Sequence, residues 1–347
     1  MRHFHLRHWL VTLLTCLLIV ACSDSTSQLP TAMGCRTLSH VLGTTEICDR
    51  PEKVAVLDLH ALDLLLSLGA QPAATISILP LQGEVIDQPD QQIPYLGKFI
   101  TTQPINVGGG LGGNPSLETL TEFKPNLIVG ESRYLGSVYD LLAQIGPTVS
   151  LDVRSQLGKW QKNLHTLAQA LGNEGKADEA IARYHQALET AREDLAPIVA
   201  KWPKILVLTA QGLNSGSFYA ITSKSFIGEI LEELGFELVY LPSTENAVPL
   251  SLEALPELDD ADSIIVLGFN QTLAQKETAD KTDPKVLIEQ QMASVEQDWA
   301  TNEIAQSLTA SQADRVYFTT FYEWNLFNGP LGTELILQQL RQFLLAD

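Results

Sequence analysis

Lys53-Val54-Ala55-Val56-Leu57 is a short apolar run of buried-strand type, and Asp63-Leu64-Leu65-Leu66-Ser67-Leu68-Gly69-Ala70 soon after it reads as a helix stopped by glycine. The same succession returns as Lys204-Ile205-Leu206-Val207-Leu208 and then Gly228-Glu229-Ile230-Leu231-Glu232-Glu233-Leu234-Gly235-Phe236. Later in each half comes a matching pentad, Ser116-Leu117-Glu118-Thr119-Leu120 and Ser251-Leu252-Glu253-Ala254-Leu255. Each pentad leads into another buried-type strand, Asn126-Leu127-Ile128-Val129-Gly130 and Ser263-Ile264-Ile265-Val266-Leu267-Gly268. Strand, helix, strand, helix, strand is an α/β pattern with parallel strands, and here it occurs twice. Gly69 to Ser116 is a much longer interval than Gly235 to Ser251, so the first half carries an insertion, roughly Pro80 to Gly113.

Between the halves, Ala177, Ile181, Tyr184, Leu188, Ala191, Leu195 and Ile198 recur at spacings of four and three. That is one apolar stripe on a helix running from Glu174 to about Val199, roughly 40 Å at 1.5 Å per residue. Pro197 is expected to kink or loosen its last turn. A solenoid helix would show the same stripe; a single long helix between two α/β repeats reads better as a strut. The expected organisation is a signal over 1–21, a polar tether over 22–34, a first α/β lobe over 35–172, the connecting helix over 173–202 and a second α/β lobe over 203–347. The length allows each lobe its own core.

The chain starts with Arg2 and Arg7, then an apolar run through Trp9-Leu10-Val11 to Ala21, then Cys22 and the polar Ser23-Asp24-Ser25-Thr26-Ser27-Gln28. This resembles a bacterial lipobox, which implies a lipid on Cys22 and an exported, membrane-tethered protein. An ordinary secretory signal or an uncleaved anchor is the alternative. The formal net charge is −19, and losing Arg2 and Arg7 with the signal makes it more negative still. So acidic a chain argues against nucleic acid and offers no basic tract to anionic lipid. Cys35 and Cys48 remain as an even pair in an exported chain. Alternation around Gly43-Thr44 reads as a β-hairpin whose opposed ends bring the two sulfurs together. A disulfide is the favoured reading, with two reduced thiols as the alternative.

Taken together, the lipobox, the duplicated lobes and the single connecting helix resemble the class III substrate-binding proteins of ABC importers. Pro51-Glu52-Lys53-Val54-Ala55-Val56-Leu57-Asp58, Lys124-Pro125-Asn126-Leu127-Ile128-Val129 and Gly329-Pro330-Leu331-Gly332 match that family's style. The Cys35–Cys48 hairpin and Tyr95-Leu96-Gly97-Lys98-Phe99 look like its ferric-siderophore and ferric-citrate branch. The resemblance implies a monomeric binding protein rather than an enzyme, without a resident cofactor. It would hold a ferric chelate between its lobes and deliver it to an ABC permease dimer; haem and cobalamin are the alternative cargoes. It also implies docking carboxylates in matching motifs, which here are Glu118 and Glu253.

Ligands of α/β sheets bind at the carboxyl ends of the strands. The candidate lining is therefore His60, Ser132, Arg133 and Tyr134 in the first lobe, with Phe218, Tyr219, Asn270, Tyr322 and Trp324 in the second. Aromatics with a few donors suit a large, polyoxygenated ligand, and the Arg133 guanidinium suits an anionic oxygen. A surface ion pair with Glu131 is the other reading of Arg133, lobe core the other reading of the aromatics, and a helix start that of His60. After the signal only His40, His60, His165 and His185 remain, so no direct metal site is expected and iron would arrive already chelated. Two enzyme readings compete. Gly108-Gly109-Gly110-Leu111-Gly112-Gly113 satisfies G-x-G-x-x-G, but Asn114-Pro115-Ser116 starts the helix too late to hold a pyrophosphate. Gly130-Glu131-Ser132-Arg133-Tyr134 approaches a nucleophile elbow, but Tyr134 stands where a small residue is needed.

Overall fold

The computed structural model describes residues 34–77, 85–108, 114–153, 158–211, 213, 218–269 and 284–345. β1 (Arg36–His40) and β2 (Gly43–Ile47) form an antiparallel hairpin in which Arg36 faces Ile47 and His40 faces Gly43. Cys35 and Cys48 lie just beyond those paired ends and are joined by a disulfide. The hairpin is pinned to the first lobe where the Thr45 hydroxyl donates to the Thr148 carbonyl, 2.5 Å away. Leu38 and Ile47 turn inward and are buried.

The first sheet contains β3 (Val54–Val56), β4 (Ala74–Thr75), β5 (Ile105–Asn106), β6 (Leu127–Glu131) and β7 (Thr148–Leu151). Its order is β5-β4-β3-β6-β7 with every pair parallel. The second sheet contains β8 (Lys204–Ala210), β9 (Phe218–Ile221), β10 (Glu237–Leu238), β11 (Ala247–Leu250), β12 (Ser263–Gly268) and β13 (Val316–Thr320). Here β10, β12 and β13 follow the expected parallel pattern. β9 runs antiparallel to both β8 and β11, so this sheet is mixed at one edge. The part of the first-half insertion around Ile105 becomes strand β5 at the edge of the first sheet.

The repeated helices span Leu59–Ser67 and Phe226–Glu233, and they stop in the same way. Gly69 (φ +74°) and Gly235 (φ +98°) take the left-handed conformation that favours glycine. In one, Gly69 N donates to Leu66 O and Ala70 N to Leu65 O; in the other, Gly235 N donates to Glu232 O and Phe236 N to Leu231 O. The reversed chain then enters β4 or β10. The pentads do not match in this way. Ser116 caps an α-helix, Leu117–Phe123, by accepting from Thr119 N. Ser251, the matching serine, makes no side-chain cap bond, and Leu252–Leu258 is a 3-10 helix. Pro256 lies inside it and has no N–H to give an α-helical bond.

Strand alternation divides the apolar interior. Val54, Val56, Leu127 and Val129 from the first sheet share one continuous cluster with Ile205, Val207, Ile265 and Leu267 from the second. Their neighbours face the other way: Ala55 and Ile128 into a cluster of the first lobe, Leu206, Leu208, Ile264 and Val266 into one of the second. Each lobe thus has a cluster of its own, as the chain length allowed, and the two share a third. The connecting helix, Gly175–Lys201, runs through Pro197 and buries Ala177, Tyr184, Leu188, Ala191 and Leu195 in that shared core, with Ile181 and Ile198 half-buried. The terminal helix, Pro330–Leu345, adds Ile336, Leu337 and Leu340. Among the described residues no helix is long and apolar enough to cross a membrane.

Candidate ligand-binding site

Three parallel strands of the second sheet end in register, with Gly268 facing Ala210 on one side and Thr320 on the other. The residues that follow, Gln211, Phe269 and Phe321, therefore emerge side by side at the carboxyl edge. They line a pocket of about 330 Å³. The Phe269 and Phe321 rings pack with centroids 5.0 Å apart. β9 adds Tyr219 and Ile221 from one face, Tyr219 exposed and Ile221 buried, while Phe218 and Ala220 turn into the lobe on the other. The N-terminus of the Phe226–Glu233 helix adds Ser225 and Phe226, and the start of β11 adds Asn246 and Ala247. The Ser225 hydroxyl is occupied: it donates to Thr222 O at 2.8 Å and accepts from Gly228 N at 2.9 Å. Asn325, one helical turn beyond Phe321, completes the wall. Aromatic faces with amide and hydroxyl edges can hold a bulky ligand by contact and orient it by hydrogen bonds.

The first-lobe rim is built differently. Asp58 caps the Leu59–Ser67 helix by accepting from Ala61 N at 2.8 Å, and its other oxygen accepts from Glu131 N at 2.6 Å. His60 is completely buried. Its Nδ1 contacts Phe327 O at 2.6 Å and its Nε2 contacts Asn163 Nδ2 at 3.0 Å. The carbonyl can only accept and the amide nitrogen can only donate, so the ring is neutral with its proton on Nδ1. With both nitrogens engaged, His60 ties the start of its helix to Phe327 and Asn163.

Other sequence-selected positions divide in the same way. Arg133 stands exposed on a one-turn helix, Ser132–Leu135, directly after β6. It makes no hydrogen bond or ion pair among the described residues, whereas Glu131 is fully buried. Ser132 and Tyr134 on the same turn are half-buried. Tyr219 is 44% exposed and lines the pocket. Phe218, Tyr322 and Trp324 are corrected to core: their exposures are 1%, 3% and 0%. Tyr322 donates to Pro94 O and Trp324 Nε1 to Gln339 Oε1. In the Phe321–Asn325 turn, positions 321 and 325 share the pocket face, so 322 and 324 point away. Asn270 and Cys22 lie outside the described residues. Of the lining, Gln211, Phe269, Phe321 and Asn325 lie in the segments just after strands, where ligands were expected, whereas Thr209, Ser225, Phe226 and Asn246 lie outside them and were missed. A serine opening a helix just after a strand was the readable signal for Ser225 and Phe226. Asn246 depends on the β9–β11 pairing, which no local pattern announces.

Glu118 and Glu253 are both exposed in the first turns of their helices. Of the glycine run, Gly108 bridges to Pro115 and is followed by the Ser116 cap; 109–113 lie outside the described residues.

Residues 54–323 match the family model described as Periplasmic binding protein, and the chain belongs to this family. Its members are binding proteins rather than enzymes. The chain is 24% identical to the Fe(3+)-citrate-binding protein YfmC of Bacillus subtilis over 93% of its own length and 92% of that protein's. It is 25% identical to the probable siderophore-binding lipoprotein YfiY of the same organism, covering 98% of each. The crystal structure of Staphylococcus aureus SirA complexed with staphyloferrin B superposes with a TM-score of 0.67 at 24% identity, covering 90% of this chain and 99% of that one. This last likeness shows the shared two-lobed fold.

Proposed function

We propose that this protein captures a ferric chelate, a siderophore or ferric citrate, between its lobes and hands it to an ABC permease. The observation that carries the reading is the aromatic and amide pocket at the in-register strand ends of the second lobe. Its position is where α/β sheets take ligands. The names of YfmC and YfiY supply the cargo class. Arg133 at the carboxyl end of β6 is the candidate for an anionic oxygen of the chelate, and Tyr219 for stacking on its organic shell. Cys22 carries the lipid that keeps the exported protein at the membrane. Glu118 and Glu253 meet basic residues on the two permease subunits, one from each lobe.

Tryptophan fluorescence titration against ferric citrate, a ferric trihydroxamate, a ferric catecholate, haem and cobalamin tests the reading. A one-to-one complex with one of the ferric chelates is expected. Binding of haem or cobalamin alone redirects the cargo, and no binding below millimolar concentration overturns the proposal.

A further inference from the structure

The second-lobe pocket owes one wall, Phe321 and Asn325, to a segment that is not anchored in the second lobe alone. From Phe321 the chain runs to Gly332 as a strap lying against first-lobe residues. His60 Nδ1–H donates to Phe327 O at 2.6 Å. The Tyr95 hydroxyl donates to Leu331 O at 2.8 Å, and the Tyr95 ring stacks on Phe327 with centroids 5.8 Å apart. The Tyr322 hydroxyl reaches Pro94 O at 3.4 Å. At the far end sits Asp63, from the middle of the Leu59–Ser67 helix and wholly buried. Its two oxygens accept from Leu331 N at 3.1 Å and Gly332 N at 2.8 Å, with Ser67 Oγ donating at 3.0 Å.

We infer that Asp63 is a positioning residue for ligand binding: from the first lobe it clamps the Phe321–Gly332 strap and so sets the Phe321–Asn325 wall of the second-lobe pocket. The inference rests on the pocket being the ligand site proposed above.

Asp63 does for the terminal helix what an N-cap residue does, but from an element 268 positions earlier. The fit is close on all sides. A Cβ on Gly329 would stand 2.7 Å from Asp63 Cγ, and one on Gly332 would stand 2.7 Å from Phe327 Cβ and 3.2 Å from an Asp63 oxygen. Burial pushes the Asp63 carboxyl up to about 7, against the opposite pull of the Gly332 and Leu331 amides and the Ser67 hydroxyl, with Glu334 adding to the rise. An apolar residue would avoid that desolvation, but it would leave two buried amides without acceptors. Asn328, midway along the strap, is held at φ +50° with its side-chain amide buried and unpartnered. Around Asn328 the strap therefore takes its shape from the His60, Tyr95 and Asp63 contacts that grip it rather than from that side chain. The Phe321–Asn325 turn and the Asp63 clamp are the two ends of one short segment, so slack at the clamp is expected to reach the turn even though Trp324 and Glu323 also tie it to Gln339.

The test compares wild type with Asp63→Ala and Asp63→Asn at pH 8, above the raised pKa of the carboxyl, and with Leu188→Ala as a stability control from the connecting helix. Ferric citrate and a ferric trihydroxamate are titrated. Hydrogen exchange is followed in ligand-free protein over peptides covering 321–325 and 329–334. Asp63→Ala is expected to weaken the chelate at least 10-fold and to speed exchange in both peptides. Asp63→Asn keeps one acceptor and should give about a third of that loss. Leu188→Ala should lower the melting temperature without changing affinity. Affinity within twofold of wild type in folded Asp63→Ala overturns the inference, as does faster exchange confined to 329–334. If Asp63→Ala fails to fold, the same two readouts on Asp63→Asn decide. If wild type binds no chelate, the proposed function falls, and the spread of exchange into 321–325 alone judges the clamp.

Discussion

The two lobes repeat the same strand–helix–strand frame and finish it in opposite ways. In the first, the described part of the carboxyl edge beside β3 is held by hydrogen bonds: Asp58 joins a helix start to β6, and His60 is locked between Asn163 and Phe327. In the second, the corresponding edge is open and lined with rings, from Tyr219 to Phe269 and Phe321. A duplicated frame thus fixes where a site can be without fixing what it is made of. The frame comes from apolar alternation and glycine stops, which the duplication preserves. The rim comes from the side chains after each strand, which it does not.

The largest effect expected is on delivery. Glu118→Ala combined with Glu253→Ala should abolish chelate uptake by cells while leaving the affinity of the purified protein unchanged. The comparison is sharpened by the single variants, because Glu118 sits on an α-helix and Glu253 on a 3-10 turn. Normal uptake by the double variant would remove both residues from docking.

Next comes the contrast between the rims themselves. Phe321→Ala removes one of two packed pocket rings, and truncating a central aromatic typically costs about 2 kcal/mol, roughly 30-fold in affinity. Asp58→Ala should do the reverse. It leaves the Ala61 and Glu131 amides without their acceptor, at about 2–4 kcal/mol of folding stability, with a smaller change in affinity. Chelate titration and denaturant unfolding on both variants check this. If Asp58→Ala were the stronger binding defect, the closed-rim and open-rim distinction would fail.

The frame was legible in the sequence because it rests on local physics. Val54 and Val56, Ile205 and Val207, and the stops at Gly69 and Gly235 each act within a few residues. The hairpin around Gly43 was legible for the same reason, and its opposed ends located the Cys35–Cys48 bridge. What failed was long-range. Tyr322 and Trp324 look like cleft aromatics until the helical phase of Phe321–Asn325 is known, which turns 321 and 325 to the pocket. Phe218 and Tyr219 are adjacent, and only the pairing of β9 with β8 decides which faces out. His60 gives no hint that its partners are Asn163 and Phe327, far along the chain.

Arg133 tests whether the open pocket works alone. It is exposed and makes no bond among the described residues, so its loss should leave folding stability within about 0.5 kcal/mol. If it meets the chelate's anionic oxygen, Arg133→Ala should cost about 1.5–3 kcal/mol of binding, roughly 10-fold or more. The loss should be confined to anionic chelates and absent for a neutral trihydroxamate. Unchanged affinity for the anionic chelate in the variant would leave recognition to the second lobe.

The smallest effect separates the two pentads. Ser116 Oγ accepts from Thr119 N at 3.2 Å and from Thr119 Oγ1 at 2.8 Å, satisfying one of the free amides at an α-helix start. Ser251 contributes only its backbone carbonyl, which accepts from Ala254 N at 3.1 Å and survives any side-chain change. Ser116→Ala should therefore destabilise the protein by about 1 kcal/mol, as loss of an N-cap does. Ser251→Ala should fall within a few tenths, because the side chain is exposed and caps nothing. Urea unfolding resolves a difference of that size through the midpoint, provided the slope is unchanged. Equal losses from the two serines would mean that Ser251 caps in solution after all, and that the second pentad is an α-helix start despite Pro256.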